Sequence, residues 1–200
     1  MPVILPKIVI ATMDKCGSQW IKHAMKAACP DAIIQPHSPP LKNIDLPDRM
    51  NVIFVRHPLA WYKSYWIFRR RFGYTKKERG CCSLRHLDRY IKEPEGFDQF
   101  IENVLVGQDE LNEPYLEYQY KWMMGDLADR VGKVENLLND LISFLDEAKQ
   151  PYDKKILTEY PRLNVAETDV PWNDELAKCI CEQEKEVIDK YYANTSAQLQ

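Results

Sequence analysis

Apolar residues run without a break through KIVIAT (7–12) and NVIFVR (51–56), which predicts strands buried on both faces, as in a parallel sheet. Between them, Trp20, Ile21, Ala24, Met25 and Ala28 recur at helical spacing over Ser18 to Cys29, with Pro30 closing the segment. DAIIQP (31–36) reads as a short strand and HSPPLKNIDLPD as a proline-rich loop. Pro58 stands where a helix tolerates proline, at the first position, and opens a helix through LAWYKSYWIFRRRF. From 73 to 96 the periodicity weakens, predicting an irregular segment that carries a short helix at LRHLDRYI. FDQFIENVL and PYLEYQYKWMM read as helices, RVGKVE (130–135) as a strand, NLLNDLISFLDEA as a helix, and ELAKCICEQEKEVIDKYYA (175–193) as one closing helix. Strands that alternate with helices predict an α/β fold with a central parallel sheet and helices on both faces. Ligands in such sheets sit at the carboxyl ends of the strands, where TMDKCGSQW (12–20) and RHPLAWYKS (56–64) both fall.

Composition narrows this picture. At 200 residues and 45% hydrophobic, the chain is long enough for one core, and a single domain is expected. A net charge of −3 argues against a general nucleic-acid binder. The start MPVILPKIVIAT lacks the pattern of a signal peptide, and no run approaches the ~18 apolar residues of a membrane span, so a soluble, cytoplasmic protein is expected. Six cysteines without framework spacing read as reduced thiols, and neither Cys81-Cys82 with His86 nor Cys179-x-Cys181 has the Cys-x2-Cys spacing that favours zinc.

The chemistry concentrates in the two loops. A junction from strand to helix offers unpaired backbone N–H groups and the positive end of the helix dipole, which together attract an anion. In TMDKCGSQW, Gly17 lets the backbone curve and come close, Ser18 adds a hydroxyl and Lys15 a point charge. An ordinary turn with a surface lysine and a capping serine is the plainer account of the same residues. Arg56 and Ser64, two helical turns apart, can converge on a second anion because helical side chains tilt toward the N-terminus. One anion in each loop implies a ligand with two phosphate-like groups.

With these residues set out, the chain resembles the sulfotransferases that use 3′-phosphoadenosine 5′-phosphosulfate (PAPS), in the form of a short bacterial, phage-like or carbohydrate-type member. Their first loop reads T-Y-P-K-S-G-T-T-W, which Thr12, Lys15, Gly17 and Trp20 match in place. Their second motif, Arg-x-Pro-x5-Ser-x-Tyr/Trp, is similar to Arg56, Pro58 and Ser64 with Tyr65 and Trp66 following. RVGKVENLLNDLISFL looks like the family's strand bearing Glu-Asn-Leu before a helix. The resemblance implies a P-loop NTPase-like three-layer α/β/α fold. It implies that Lys15, Cys16, Gly17, Ser18 and Gln19 bind the 5′-phosphosulfate, that Trp20 lies against adenine, and that Arg56 and Ser64 hold the 3′-phosphate. PAPS would be the co-substrate, with no metal required and a small-molecule or carbohydrate hydroxyl or amine as acceptor. Asp14, Cys16 and Gln19 depart from the family pattern. Asp14 is the costliest departure, since a carboxylate beside a phosphate loop weakens binding unless it points away or pairs with a cation.

Sulfuryl transfer, like phosphoryl transfer, depends on positioning and charge stabilisation, and an acceptor hydroxyl gains from a general base. The resemblance makes Lys15, His37 and Ser64 the catalytic set, with His37 in QPHSPP as the base; Asp14 and Glu113 are carboxylate alternatives. His23 reads as structural and His57 as a packing or surface residue. The basic run FRRRFGYTKKERG (68–80) reads as a solvated face, or as a site for an anionic acceptor, and residues about 73–115 as the variable, acceptor-side part. The aromatic group YLEYQYKW (115–122) reads as core before acceptor wall. Two rival functions stand beside this one. A nucleotide or nucleoside kinase is disfavoured by the missing Gly-Lys-Ser/Thr; a non-catalytic nucleotide-binding module is favoured by Asp14.

Overall fold

A computed structural model describes residues 2–35, 48–72, 94–111, 114–124, 127–163 and 170–193. His37, Glu113, Cys81, Cys82, His86, Lys76, Lys77, Arg79 and the short helix expected at LRHLDRYI lie outside these residues. The fold is mixed α/β, and the chain gathers into two compact units, Met1–Arg56 with Tyr120–Val165 and His57–Gln119 with Ala166–Gln200.

The first unit holds a sheet of five strands in the order β3-β1-β2-β4-β5: β1 (Val3–Ile4), β2 (Ile8–Ala11), β3 (Ile33–Ile34), β4 (Met50–Val55) and β5 (Arg130–Lys133). β2, β4 and β5 run parallel, with Ala11 beside Ile53 and Val55 beside Lys133. The expected parallel sheet is corrected at one strand. β1 pairs antiparallel with both β2 and β3, because Pro6 interrupts the N-terminal apolar run and Leu5 N–H donates to Ile8 O (2.9 Å) across a tight reversal.

Helix α1 (Ser18–Ala28) packs Ile21, Ala24, Met25 and Ala28 on the sheet face that presents Val3, Ile8, Ile10, Val52 and Phe54. α5 (Leu137–Glu147) adds Leu141 and Leu145 to that core, and the short α6 (Lys154–Glu159), capped by Asp153 Oδ1 accepting from Ile156 N–H, adds Leu157. α6 escapes the helical pattern because one turn buries a single residue. β5 requires glycine at 132: a Cβ there would stand 2.4 Å from Cε1 of Phe54, so the aromatic ring fills the space a side chain would take.

The second unit is helical: α2 (Pro58–Phe72), α3 (Phe97–Leu111), the first half of α4 (Tyr115–Met124), α7 (Asp174–Gln183) and α8 (Lys185–Tyr192). Its core is aromatic. Trp61 stacks on Tyr65 with ring centroids 5.1 Å apart, and Trp66 and Tyr65 both meet Phe100. The single closing helix expected over 175–193 is two helices, because Glu184 leaves helical geometry (φ −94°, ψ 25°). Its carboxylate turns into the core, accepting from Tyr62 Oη (2.7 Å), Gln108 Nε2 (2.9 Å) and the Leu116 and Glu117 amides at the start of α4 (2.9 and 3.2 Å). Within the basic run one residue departs from a solvated face: Arg69 is fully buried with its guanidinium over the Tyr65 ring, while Arg70 and Arg71 are exposed as expected.

Candidate functional site

β2 ends at Ala11 and α1 begins at Ser18, and the six residues between make two departures from ordinary backbone. Cys16 N–H donates to Met13 O (3.2 Å), closing a turn, and both Lys15 (φ 64°) and Gly17 (φ 75°) take the left-handed conformation. Glycine suits position 17 on two counts. Besides the positive φ, a Cβ would stand 2.9 Å from Cδ2 of Leu137. Gly17 is the N-cap of α1 and so supplies no side-chain cap, and the first turn carries no acidic residue. The amides of Ser18, Gln19 and Trp20 precede the first position at which intrahelical bonding begins, Ile21 N–H to Gly17 O (3.0 Å). Such an end favours an anion.

Arg56 follows the last residue of β4. Side chains alternate along a strand, so Arg56 falls on the face of Val52 and Phe54, the face that α1 covers. Its Nη1 donates to the carbonyl of Lys15 at 3.1 Å. The two motifs separated by some forty residues of sequence are thus joined by a direct hydrogen bond. The backbone of Arg56 is held in turn by Tyr120 of α4, whose hydroxyl accepts from Arg56 N–H and donates to Arg56 O, both at 3.0 Å.

The end of β5 completes the rim. A 3-10 turn, Val134–Asn136, leads into α5. Asp140 accepts from Lys133 N–H (2.7 Å) and from Asn136 Nδ2 (2.6 Å), fixing the turn, and Leu137 packs beneath Gly17. The Glu-Asn-Leu segment therefore closes on the loop as Arg56 does.

The remaining loop residues are distributed as follows. Ser18 and Trp20 are half-buried and Gln19 is exposed; Trp20 meets Tyr160 edge to face at 6.3 Å. Cys16 is wholly buried, and burial pushes its thiol up to about 12, against the lowering effect of Arg56 and Tyr120 and with smaller raising effects from Glu135 and Asp14. It is a neutral thiol packed under the loop, so its share in an anion site comes through the backbone. Ser64 is half-buried on α2, in the second unit, and His57 packs edge to face on Tyr192 (5.0 Å) there. His23, expected to be structural, is exposed on α1. The four described cysteines, Cys16, Cys29, Cys179 and Cys181, are free thiols.

Tyr120 is the residue that sequence reasoning did not single out. The aromatic group was read as core, and Tyr115, Leu116 and Tyr120 are indeed buried. Nothing in the spacing of three tyrosines marks the one whose hydroxyl meets a strand end. No family model, curated protein or solved structure matches the chain.

Proposed function

We propose that the protein is a PAPS-dependent sulfotransferase, built on a P-loop NTPase-like three-layer frame, that transfers a sulfuryl group to a hydroxyl or amine acceptor, a carbohydrate among the candidates. The observation that carries the proposal is the bond from Arg56 Nη1 to the Lys15 carbonyl. It links the two motifs quoted for the resemblance beside a helix start whose N-cap is glycine and whose first turn carries no carboxylate. The donor set suits the ligand: backbone amides and a lysine for a phosphosulfate, and an arginine suited to bidentate contact with a phosphate.

The phosphosulfate supplies an activated sulfuryl group, and the protein supplies position and charge. The amides of Gly17 to Trp20 bind the 5′ end. Lys15 offsets the negative charge that develops on the bridging oxygen as the sulfur–oxygen bond to the phosphate breaks. Arg56 holds the 3′-phosphate, with Ser64 assigned to it by sequence spacing. His37, assigned by the same resemblance, accepts the acceptor's proton.

A non-catalytic nucleotide-binding module is the second reading, favoured by Asp14, half-buried in the loop beside Cys16. Transfer of labelled sulfate from PAPS across a panel of sugar, phenol and amine acceptors separates the two. Turnover that disappears in Lys15→Ala supports the sulfotransferase; bisphosphate binding with no turnover on any acceptor supports the module.

A further inference from the structure

The ladder of β4 ends at Val55, whose partner is Lys133, so Arg56 stands one residue beyond the last strand pair. Its peptide groups are nonetheless paired on both counts, N–H to Tyr120 Oη and C=O from Tyr120 Oη, each at 3.0 Å. One hydroxyl thus stands in for a neighbouring strand, giving a donor and an acceptor to the same residue. A tyrosine hydroxyl has one proton and two lone pairs, and the thiol of Cys16 is also within hydrogen-bonding reach of it. Tyr120 itself is nearly fully buried, so its position is set by packing and not by solvent.

These contacts form a chain of cause. Lys15, a non-glycine residue, is in the left-handed region, which raises its energy unless its surroundings hold it there. Arg56 Nη1 on the Lys15 carbonyl is one such hold, and a guanidinium on a mobile backbone would not keep that carbonyl in place. We infer that Tyr120 is a positioning residue for the anion loop: it fixes the Arg56 backbone, Arg56 fixes the Lys15 carbonyl, and the loop amides are thereby presented to ligand in a formed state. Tyr120 touches no reacting atom. Its hydroxyl lowers the cost of ordering the loop when an anion binds. The inference deepens the sulfotransferase reading and rests on it for the identity of the ligand, but not for the clamp on the loop.

The test uses Tyr120→Phe in the full chain, which removes the hydroxyl and keeps the ring. Two cysteines of the same unit are reporters. Cys16 lies under the loop, and Cys29 is buried at the far end of α1 with its thiol directed at Pro151 O (3.5 Å). Alkylation by iodoacetamide is followed at each by peptide mass, beside hydrogen exchange of the loop amides, which tells loosening of the loop from the direct effect of Tyr120 and Arg56 on the Cys16 thiol. Loss of two hydrogen bonds of ordinary strength predicts alkylation of Cys16 about tenfold faster, with Cys29 unchanged, and binding of adenosine 3′,5′-bisphosphate weakened about tenfold by calorimetry. Acceleration of both thiols together means general loosening and overturns the inference, as does an unchanged Cys16. Faster Cys16 alkylation with unchanged bisphosphate affinity overturns the positioning role. If the wild type does not bind the bisphosphate while Cys16 alone accelerates, the sulfotransferase reading falls and the clamp is upheld. Should Tyr120→Phe not fold, Arg56→Ala cuts the same clamp at its other end and is read by the same two thiols.

Discussion

Lys15 and Gly17 share a left-handed backbone, yet they answer to different demands. Gly17 is there for its backbone: its φ of 75° disfavours any L-residue, and a Cβ would press on the end of the Leu137 side chain. Gly17→Ala is expected to lower stability by about 1–2 kcal/mol, measured by urea unfolding, with an unchanged denaturant slope. In the proposed site Lys15 supplies charge, at a φ of 64° that glycine would take more easily. Lys15→Gly is therefore expected to unfold within about 1 kcal/mol of the wild type, since relief of strain and added freedom in the unfolded chain oppose each other. The same variant is expected to lose sulfuryl transfer. Retained transfer in Lys15→Gly would show that the loop acts through its amides alone.

Among elements, the α7–α8 break is the clearest case of a side chain overriding periodicity. Glu184 gives up a helical position to present its carboxylate to Tyr62, Gln108 and the start of α4. Glu184→Ala takes the acceptor from the Tyr62 hydroxyl and the Leu116 amide, while Gln108 Nε2 keeps Tyr62 Oη (2.8 Å), and is expected to cost about 3 kcal/mol or more. Burial raises this carboxyl above its ordinary 4.5, against the pull of the Leu116 amide, Tyr62, the Glu117 amide and Gln108. The native chain then holds the proton more tightly than the unfolded one, so this group's contribution falls as pH rises from about 4.5 to its native value and is level above that. Glu184→Gln removes the titration. Its stability relative to the wild type is expected to climb through that window in urea unfolding at successive pH values, and a flat difference would contradict the assignment.

The same element shows where sequence reasoning stops. ELAKCICEQEKEVIDKYYA carries a helical repeat throughout, and the break depends on what Glu184 meets, which only folding brings near. β1 was hidden for the opposite reason, being too short for alternation and separated from β2 by Pro6. β2, β4 and α1 were legible because their apolar pattern is long and buried, and the loop they flank was legible through Gly17 and Lys15. Tyr120 was not, because a hydroxyl that pairs a strand end leaves no mark in spacing.

At the scale of the whole molecule, the first unit gathers three parallel strand ends, β2, β4 and β5, with Lys15, Arg56 and the Glu135–Leu137 segment around a helix start whose N-cap is glycine. No helix among the described residues is long and apolar enough to cross a membrane. The proposed site, a backbone anion cradle with Arg56 bonded to its loop, suits a ligand bearing two phosphate-like groups and does not depend on a Gly-Lys-Ser/Thr sequence. The most direct test is calorimetric titration of the full chain with adenosine 3′,5′-bisphosphate in the absence of Mg²⁺. The account predicts binding, weakened about 30-fold or more in Arg56→Ala, which is ~2 kcal/mol for a lost arginine–phosphate contact. No binding by the wild type, or tighter binding of ATP with Mg²⁺, would contradict it.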